Sequence, residues 1–227
     1  MRIVFFTGAG ISAESGIKTF RDADGLWENH RIEEVATPEA FAKNPELVLH
    51  FYNVRRRQMY DVEPNGAHYG IAELQNHHHI EVITQNIDNL HERAGTRQVL
   101  HLHGQLDYAR SSISDELLVP LQGRDIKLGD RAADGSQLRP HVVWFGEAVP
   151  MLEKAIPIIQ SAEILVIVGT SLQVYPAAGL IEYASPKCEL IYIDPNAFQP
   201  PGMNRKVELI QKNAVEGIEA IKKRLLG

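Results

Sequence analysis

The 227-residue chain has a single cysteine, Cys188. It can hold no internal disulfide, and no set of thiolates is available to ligate a metal. Basic runs are also missing, and the formal net charge is −6. That balance argues against a surface built for nucleic acid. No apolar stretch reaches the roughly 18 residues that cross a bilayer. The opening run Ile3–Phe6 is too short for a signal peptide and meets a glycine turn at once. No internal repeat or low-complexity tract breaks the chain. What remains is an ordinary globular composition, 44% apolar and 23% charged. A chain this long buries roughly 70% of its unfolded surface, enough for one sizeable core with a small lobe. These absences point to a soluble protein of the cytoplasm.

The densest polar cluster is Thr84-Gln85-Asn86-Ile87-Asp88, with His103-Gly104 after it. The apolar run Ile80–Ile83 reads as a strand that delivers two amides and a carboxylate to one place. A second run, Val99–Leu102, delivers His103. In open α/β sheets ligands bind outside the carboxyl ends of strands, so this cluster lies where a ligand would sit. Near the start, Arg2–Thr7 reads as a buried strand followed by Gly8-Ala9-Gly10-Ile11-Ser12-Ala13. This G-x-G-x-x-A pattern before a plausible helix fits a dinucleotide fingerprint, although a ligand-free glycine turn would look the same. A hydride-transfer enzyme would need a second strand ending in an acid about 20 residues on. Lys18–Gly25 reads as a loop instead, and the next convincing strand begins at Ile80. A large insertion therefore follows the first strand.

That insertion is predicted helical over Pro38–Lys43 and Pro45–Met59, with Thr37 and Asn44 as N-caps and proline at N1. Tyr52 and Arg55 share a face of the second helix; the residues alone favour packing for one and a solvated charge for the other. His77-His78-His79 reads as a polar turn, because adjacent residues do not face one another. Gln105–Leu138 has mixed charge and no clear period, and His141–Gly146 is strand-like. Helix is expected over Pro150–Gln160, Pro176–Tyr183 and Ala214–Leu225, and strand over Ile164–Val168 and Leu190–Ile193. Gly169-Thr170-Ser171, after a buried strand, suits a phosphate cradle. The alternation predicts an α/β fold with a doubly wound, Rossmann-like parallel sheet and a smaller inserted helical or loop lobe. The large lobe would comprise about 1–25, 67–104 and 141–227, and the small lobe about 26–66 and 105–140.

Taken together, GAGIS at 8–12, TFR at 19–21, TQNIDNLHERAG at 84–95, HG at 103–104, VVWFGE at 142–147 and GTSLQVYPAA at 169–178 resemble the sirtuin NAD-dependent protein deacylases. ATPEAF at 36–41 and FYNVRRRQ at 51–58 are most similar to the bacterial CobB-type sirtuins. The resemblance implies cleavage of the nicotinamide–ribose bond of NAD and transfer of a lysine acyl group to ADP-ribose. It implies that Asp88 holds the nicotinamide carboxamide, Asn86 orients the ribose or a pocket water, and Gln85 contacts ribose hydroxyls. His103 would be the general base. Gly8, Ala9 and Gly10 would line the phosphate site. Phe20 and Arg21 would cover the nicotinamide ribose. Gly169, Thr170 and Ser171 would hold phosphate or ribose, Asp194 the adenine ribose, and Ile87 and Ala214 would complete the cofactor wall. Val143, Phe145 and Gly146 would bind the substrate peptide as an added strand, with Glu147 as an anchor.

In sirtuins that remove succinyl or malonyl groups, a tyrosine and an arginine spaced like Tyr52 and Arg55 bind the acyl carboxylate. The resemblance thus reverses the bland reading of that pair. Two departures stand out. Sirtuins commonly carry four zinc-binding cysteines between the HG and VVWFGE blocks, and Gln105–Leu138 has none. No zinc is expected, and Leu117, Leu118, Val119 and Leu121 would have to hold the small lobe or leave it partly mobile. Asp194 also stands where an asparagine is common; it should tolerate NAD and repel NADP. The expected partners are acyl-lysine proteins or peptides, not nucleic acid or membrane, and the protein is expected to be a monomer. An NAD glycohydrolase or ADP-ribosyltransferase, or a non-catalytic binder of NAD or ADP-ribose, remain alternatives.

Overall fold

The computed structural model describes residues 1–18, 27–201 and 203–227. Six parallel strands form the main sheet, in the order β3 (Val99–His101), β2 (His79–Thr84), β1 (Arg2–Thr7), β7 (Ile164–Val168), β8 (Glu189–Ile193) and β9 (Glu208–Ile210). The order reverses direction between β1 and β7, which makes their ends the switch point of a doubly wound sheet. The register sets Thr7 beside both Thr84 and Val168, Thr84 beside His101, and Val168 beside Ile193. Gly8, Gln85, Leu102, Gly169 and Asp194 therefore emerge along one edge.

Strands buried on both faces need apolar residues of both parities. Val4, Phe6, Leu165, Ile167 and Tyr192 pack against α6 (Leu152–Gln160) and a 3-10 helix, Ala177–Tyr183. Ile3, Phe5, Val166 and Ile193 pack against α4 (Gly66–Leu74) and α7 (Ala214–Leu226). The glycine motif of β1 leads into a 3-10 helix, Ala9–Ser15, where an α-helix was plausible. The two expected helices of the insertion form, as α2 (Pro38–Lys43) and α3 (Pro45–Asp61), and a short helix that was not expected, α1 (Ile32–Val35), precedes them. Both proposed caps work: Thr37 Oγ1 accepts from Ala40 N at 3.1 Å, and Asn44 Oδ1 from Leu47 N at 3.1 Å. One short helix, α5 (Leu90–Arg93), follows the Thr84–Asp88 cluster. No helix of the described residues is long and apolar enough to cross a membrane.

The stretch Gln105–Leu138 is not all loop. Strands β4 (Gly104–Ser111), β5 (Leu118–Pro120) and β6 (Leu138–Val142) make an antiparallel sheet in the order β5-β4-β6. The strand expected over His141–Gly146 stops at Val142, after which Phe145 N–H donates to Ala36 O at 3.0 Å. The apolar residues expected to hold this lobe are only partly the right ones. Leu121 is buried, Val119 packs partly, Leu118 is 45% exposed, and Leu117 lies outside the cluster. The buried set is Leu49, Ala109, Leu121, Ile126, Ala132 and Leu138.

Polar staples from α3 complete it. Asn53 Nδ2 donates to Ile126 O at 2.8 Å, and its Oδ1 accepts from Ile126 N at 2.9 Å. The fully buried Arg56 donates to Leu106 O at 2.6 Å and to Asn53 Oδ1 at 2.7 Å. Among the described residues no group of three or more His, Cys, Asp or Glu is placed to hold a metal. The lobe is closed by apolar packing and backbone-directed amide and guanidinium groups.

Candidate active site

A crevice of about 740 Å³ runs along the sheet edge and under the small lobe. That size suits a cofactor or small-molecule site, which typically encloses about 300–1,000 Å³. Its floor is the switch point. The loops after β1 and β7 touch backbone to backbone: Gly8 N–H donates to Val168 O at 3.0 Å and Gly10 N–H to Gly169 O at 2.8 Å. Gly169 has φ +61°, and a Cβ there would lie 2.4 Å from Ile11 N. The glycines thus serve first to let two loops meet. With the N–H groups of Gly8 and Gly10 taken, the free donors on this floor are those of Ala9, at the first helical position, and of Thr170 and Ser171, which have no acceptor among the described residues.

The Thr84–Asp88 segment folds over itself. Asn86 N–H donates to Thr84 Oγ1 at 3.0 Å, and Gln85 N–H to Thr7 O at 2.9 Å. Gln85 Nε2 donates to Thr170 Oγ1 at 3.0 Å, joining this segment to the other side of the switch point. Asp88 is buried, and Ser12 Oγ donates to its Oδ2 at 3.0 Å. Burial raises the Asp88 pKa, while bonds from Leu90 N–H and Ser12 partly offset the rise. Ser12 Oγ in turn accepts from Asn86 Nδ2 at 3.1 Å. His68 accepts from Asn65 N–H through Nδ1 at 3.2 Å, which leaves Nε2–H facing Ser12 Oγ at 3.5 Å. Burial pushes the His68 pKa down to about 4, so this imidazole is neutral.

His103 stands opposite. Its Nδ1–H donates to Gln85 O at 3.0 Å, a carbonyl partner that assigns the tautomer. Nε2 has no partner among the described residues and lies on the crevice wall. Burial lowers the His103 pKa, partly countered by the Gln85 carbonyl. The group is therefore an uncharged base at neutral pH, with its lone pair toward the crevice. Gly104 makes this placement possible: its φ is +81°, and a Cβ would sit 2.1 Å from His141 O.

The far wall carries the acyl-pocket candidates. Tyr52 is fully buried and accepts from Trp144 Nε1 at 3.1 Å. Arg55 lies over the Phe51 ring, 4.3 Å from its centroid. Among the described residues the carboxylate that pairs with it is Glu28, 3.9 Å away. Arg55 Nε is buried with no partner among the described residues. Glu28 is fixed by a two-residue turn, with φ +50° at Glu28 and +66° at Asn29, closed by paired hydrogen bonds between Trp27 and His30. Trp144 N–H donates to Glu147 Oε2 at 2.7 Å, and Arg139 binds both Glu147 oxygens, at 2.6 and 3.0 Å. Glu147 thus ties this segment to Arg139 on β6.

The crevice gathers Gly8, Ala9, Gly10, Gln85, Asn86, Ile87, Asp88, His103, Gly169, Thr170, Ser171 and Asp194, together with Tyr52, Arg55, Val143, Phe145 and Gly146. Ala214 is not among them; it is buried at the start of α7 in the core beneath the sheet. Phe20 and Arg21 lie outside the described residues. Ser12, Trp144 and Glu28 also line the crevice without having been singled out. Ser12 and Trp144 sit inside quoted motifs, and the signal for Ser12 was a hydroxyl at a buried helical position. Nothing local marks Glu28.

Residues 8–176 match the Sir2 family. The chain is 53% identical over 224 residues to an NAD-dependent protein deacylase of Helicobacter pylori, covering 99% of this chain and 97% of that one. It is 48% identical over 229 residues to an NAD-dependent protein deacylase of Bacteroides thetaiotaomicron, covering 99% and 97%. A Sir2 homologue solved in complex with NAD superposes with a TM-score of 0.86 at 38% identity, over 99% of this chain and 89% of that one. A Sir2 complex with a p53 peptide and NAD+ gives a TM-score of 0.78 at 30% identity, over 98% and 92%.

Proposed function

The chain belongs to the Sir2 family and is an NAD-dependent protein deacylase, and from that premise we propose that it removes acidic acyl groups, succinyl and malonyl, from lysine side chains as well as acetyl. One observation carries this acyl class: Tyr52 O–H and Arg55 Nε–H are buried or half-buried donors on one wall, and neither has an acceptor among the described residues. A buried donor left unpaired costs free energy. A carboxylate threaded to that wall would take a bond from each, and a guanidinium–carboxylate bond is among the stronger kinds.

The other roles follow from donors and acceptors. NAD, once bound, supplies the nicotinamide–ribose bond that breaks and the ribose that receives the acyl group. The residues fit that group: Ala9, Thr170 and Ser171 offer N–H donors for phosphates, and Asp194 is an acceptor for ribose hydroxyls. Asp88 is a carboxylate that Ser12 aims, and it would accept from a carboxamide. Asn86, tied to Ser12, would orient what lies beside Asp88. His103 would take a proton at Nε2 from a ribose hydroxyl, and the Gln85 carbonyl would steady the ring as it becomes charged. Val143, Phe145 and Gly146 would line the path of the acyl-lysine segment.

A panel of acetyl-, succinyl- and longer-chain acyl-lysine peptides with NAD tests this. Nicotinamide release that depends on the acyl-lysine peptide, and that includes the succinyl peptide, is the expected result. Release without peptide would favour a glycohydrolase. A monomer working in the cytoplasm belongs to the same proposal.

A further inference from the structure

Trp144 makes a contact that deacylase chemistry alone does not call for. Its indole N–H donates to the hydroxyl oxygen of Tyr52 at 3.1 Å, across 92 residues of sequence. The indole is itself held from two sides. Arg139 lies over the ring with its guanidinium carbon 3.3 Å from the centroid. Glu147 binds both Arg139 and the Trp144 backbone N–H. Arg110 reaches the same carboxylate at 3.3 Å. The ring thus has little freedom to turn.

A phenol hydroxyl prefers the plane of its ring, with its hydrogen on one side or the other. A donor arriving on one side leaves only the other for the hydrogen. Tyr52 is fully buried, so no bulk water competes for that choice. Burial also raises its pKa, so the phenol keeps its proton. The oxygen accepts from Trp144, and the O–H must point elsewhere. Among the described residues nothing accepts from it, and Tyr52 and Arg55 line the same crevice.

We infer that Trp144 is a positioning residue for acyl selectivity: its indole N–H commits the Tyr52 hydroxyl to donate, so the pocket presents donors to an acidic acyl group. The inference rests on Tyr52 and Arg55 forming the carboxylate wall. Without the indole N–H, the hydroxyl could present either its hydrogen or its lone pair. The lone pair repels a carboxylate and is indifferent to an acetyl methyl group.

Trp144→Phe keeps a ring under Arg139 and deletes the N–H. The ratio of kcat/KM for succinyl-lysine over acetyl-lysine peptide should fall about five- to tenfold, the scale of one hydrogen bond. The fall should reside in the KM for the succinyl peptide. Adding Trp144→Phe to Tyr52→Phe should change the ratio no further. An unchanged ratio in Trp144→Phe, or an additive fall in the double variant, overturns the inference. Tyr52→Phe and Arg55→Met separate the two levels. If they lower the ratio and Trp144→Phe does not, the positioning role alone fails. If they leave it unchanged, the carboxylate wall fails with it. Should Trp144→Phe not fold, the wild-type protein with 15N-labelled tryptophan replaces it. The Trp144 indole resonance, told apart from that of Trp27, should move further with succinyl-lysine than with acetyl-lysine peptide. Equal movement overturns the inference.

Discussion

His101 and His103 stand two residues apart and hold opposite charge preferences. His101 donates from Nδ1 to Asn86 O at 2.8 Å and from Nε2 to Glu92 Oε1 at 2.7 Å, so both nitrogens face acceptors. Burial alone would lower its pKa, but the Glu92 carboxylate and the Asn86 carbonyl outweigh it and raise the value. His103 has one acceptor and one open nitrogen, and burial lowers its pKa. His101 thus favours its charged form while holding the Asn86 carbonyl, and His103 favours the neutral form of a base.

The base sets the acid side of the rate profile. His103 works when deprotonated, and burial lowers its pKa, so the half-maximal point on the acid side of kcat/KM should lie below pH 6.5. A half-maximal point above pH 6.5 would contradict this. His103→Ala should lose about 10²–10⁴-fold in turnover while the protein stays folded.

His101 sets a pH dependence of stability. A raised histidine pKa stabilises the folded state below the unfolded pKa near 6.5, and that stability is lost as pH rises through the folded pKa. Glu92→Gln removes the cause of the rise. The gap in melting temperature between wild type and Glu92→Gln should therefore be larger at pH 6 than at pH 9. A gap that does not change between those pH values would show that His101 is not charged.

Acyl choice should respond in opposite directions to two changes on one wall. Arg55→Met removes a charged donor worth about 1.5–3 kcal/mol, so desuccinylation should drop about 10- to 100-fold relative to deacetylation. Glu28→Gln removes the carboxylate that stands 3.9 Å from Arg55 and competes with an acidic acyl group. It should lower the KM for succinyl-lysine peptide and raise the succinyl-to-acetyl ratio. Both ratios come from the same steady-state assay, and a fall with Glu28→Gln would exclude competition.

The small lobe should depend on its amide staple and not on metal. Asn53→Ala strands the buried N–H and C=O of Ile126 and leaves Arg56 with one acceptor fewer. It should cost about 2–4 kcal/mol, since each unpaired buried group costs about 1–3 kcal/mol. Denaturant unfolding would measure it. Chelation should leave the wild-type melting temperature where it was, and elemental analysis should find no stoichiometric zinc.

Much of this molecule is written locally. Ile3–Phe6, Ile80–Ile83 and Ile164–Val168 are short apolar runs, each followed by glycine or polar residues. A chain with that pattern buries the runs as parallel strands and leaves its polar ends along one edge. Thr37 and Asn44 cap helices because each needs only a neighbour three residues on. The small lobe was less legible because β4, Gly-Gln-Leu-Asp-Tyr-Ala-Arg-Ser, has no clean alternation, and its partners in the sheet and in α3 are distant in sequence.

By itself, then, the sequence determined the parallel sheet, the place of the crevice and most of the residues that meet there, because those depend on hydrophobic period and on motifs a few residues long. Only the tertiary structure decided which of those groups are charged, which hydrogens are free to be given, and what closes the lobe that lacks cysteines. Burial depth and hydrogen-bond partners fix such properties, and the partners come from separate segments of the chain: Ser12 beneath Asp88, Glu28 beside Arg55, Trp144 against Tyr52.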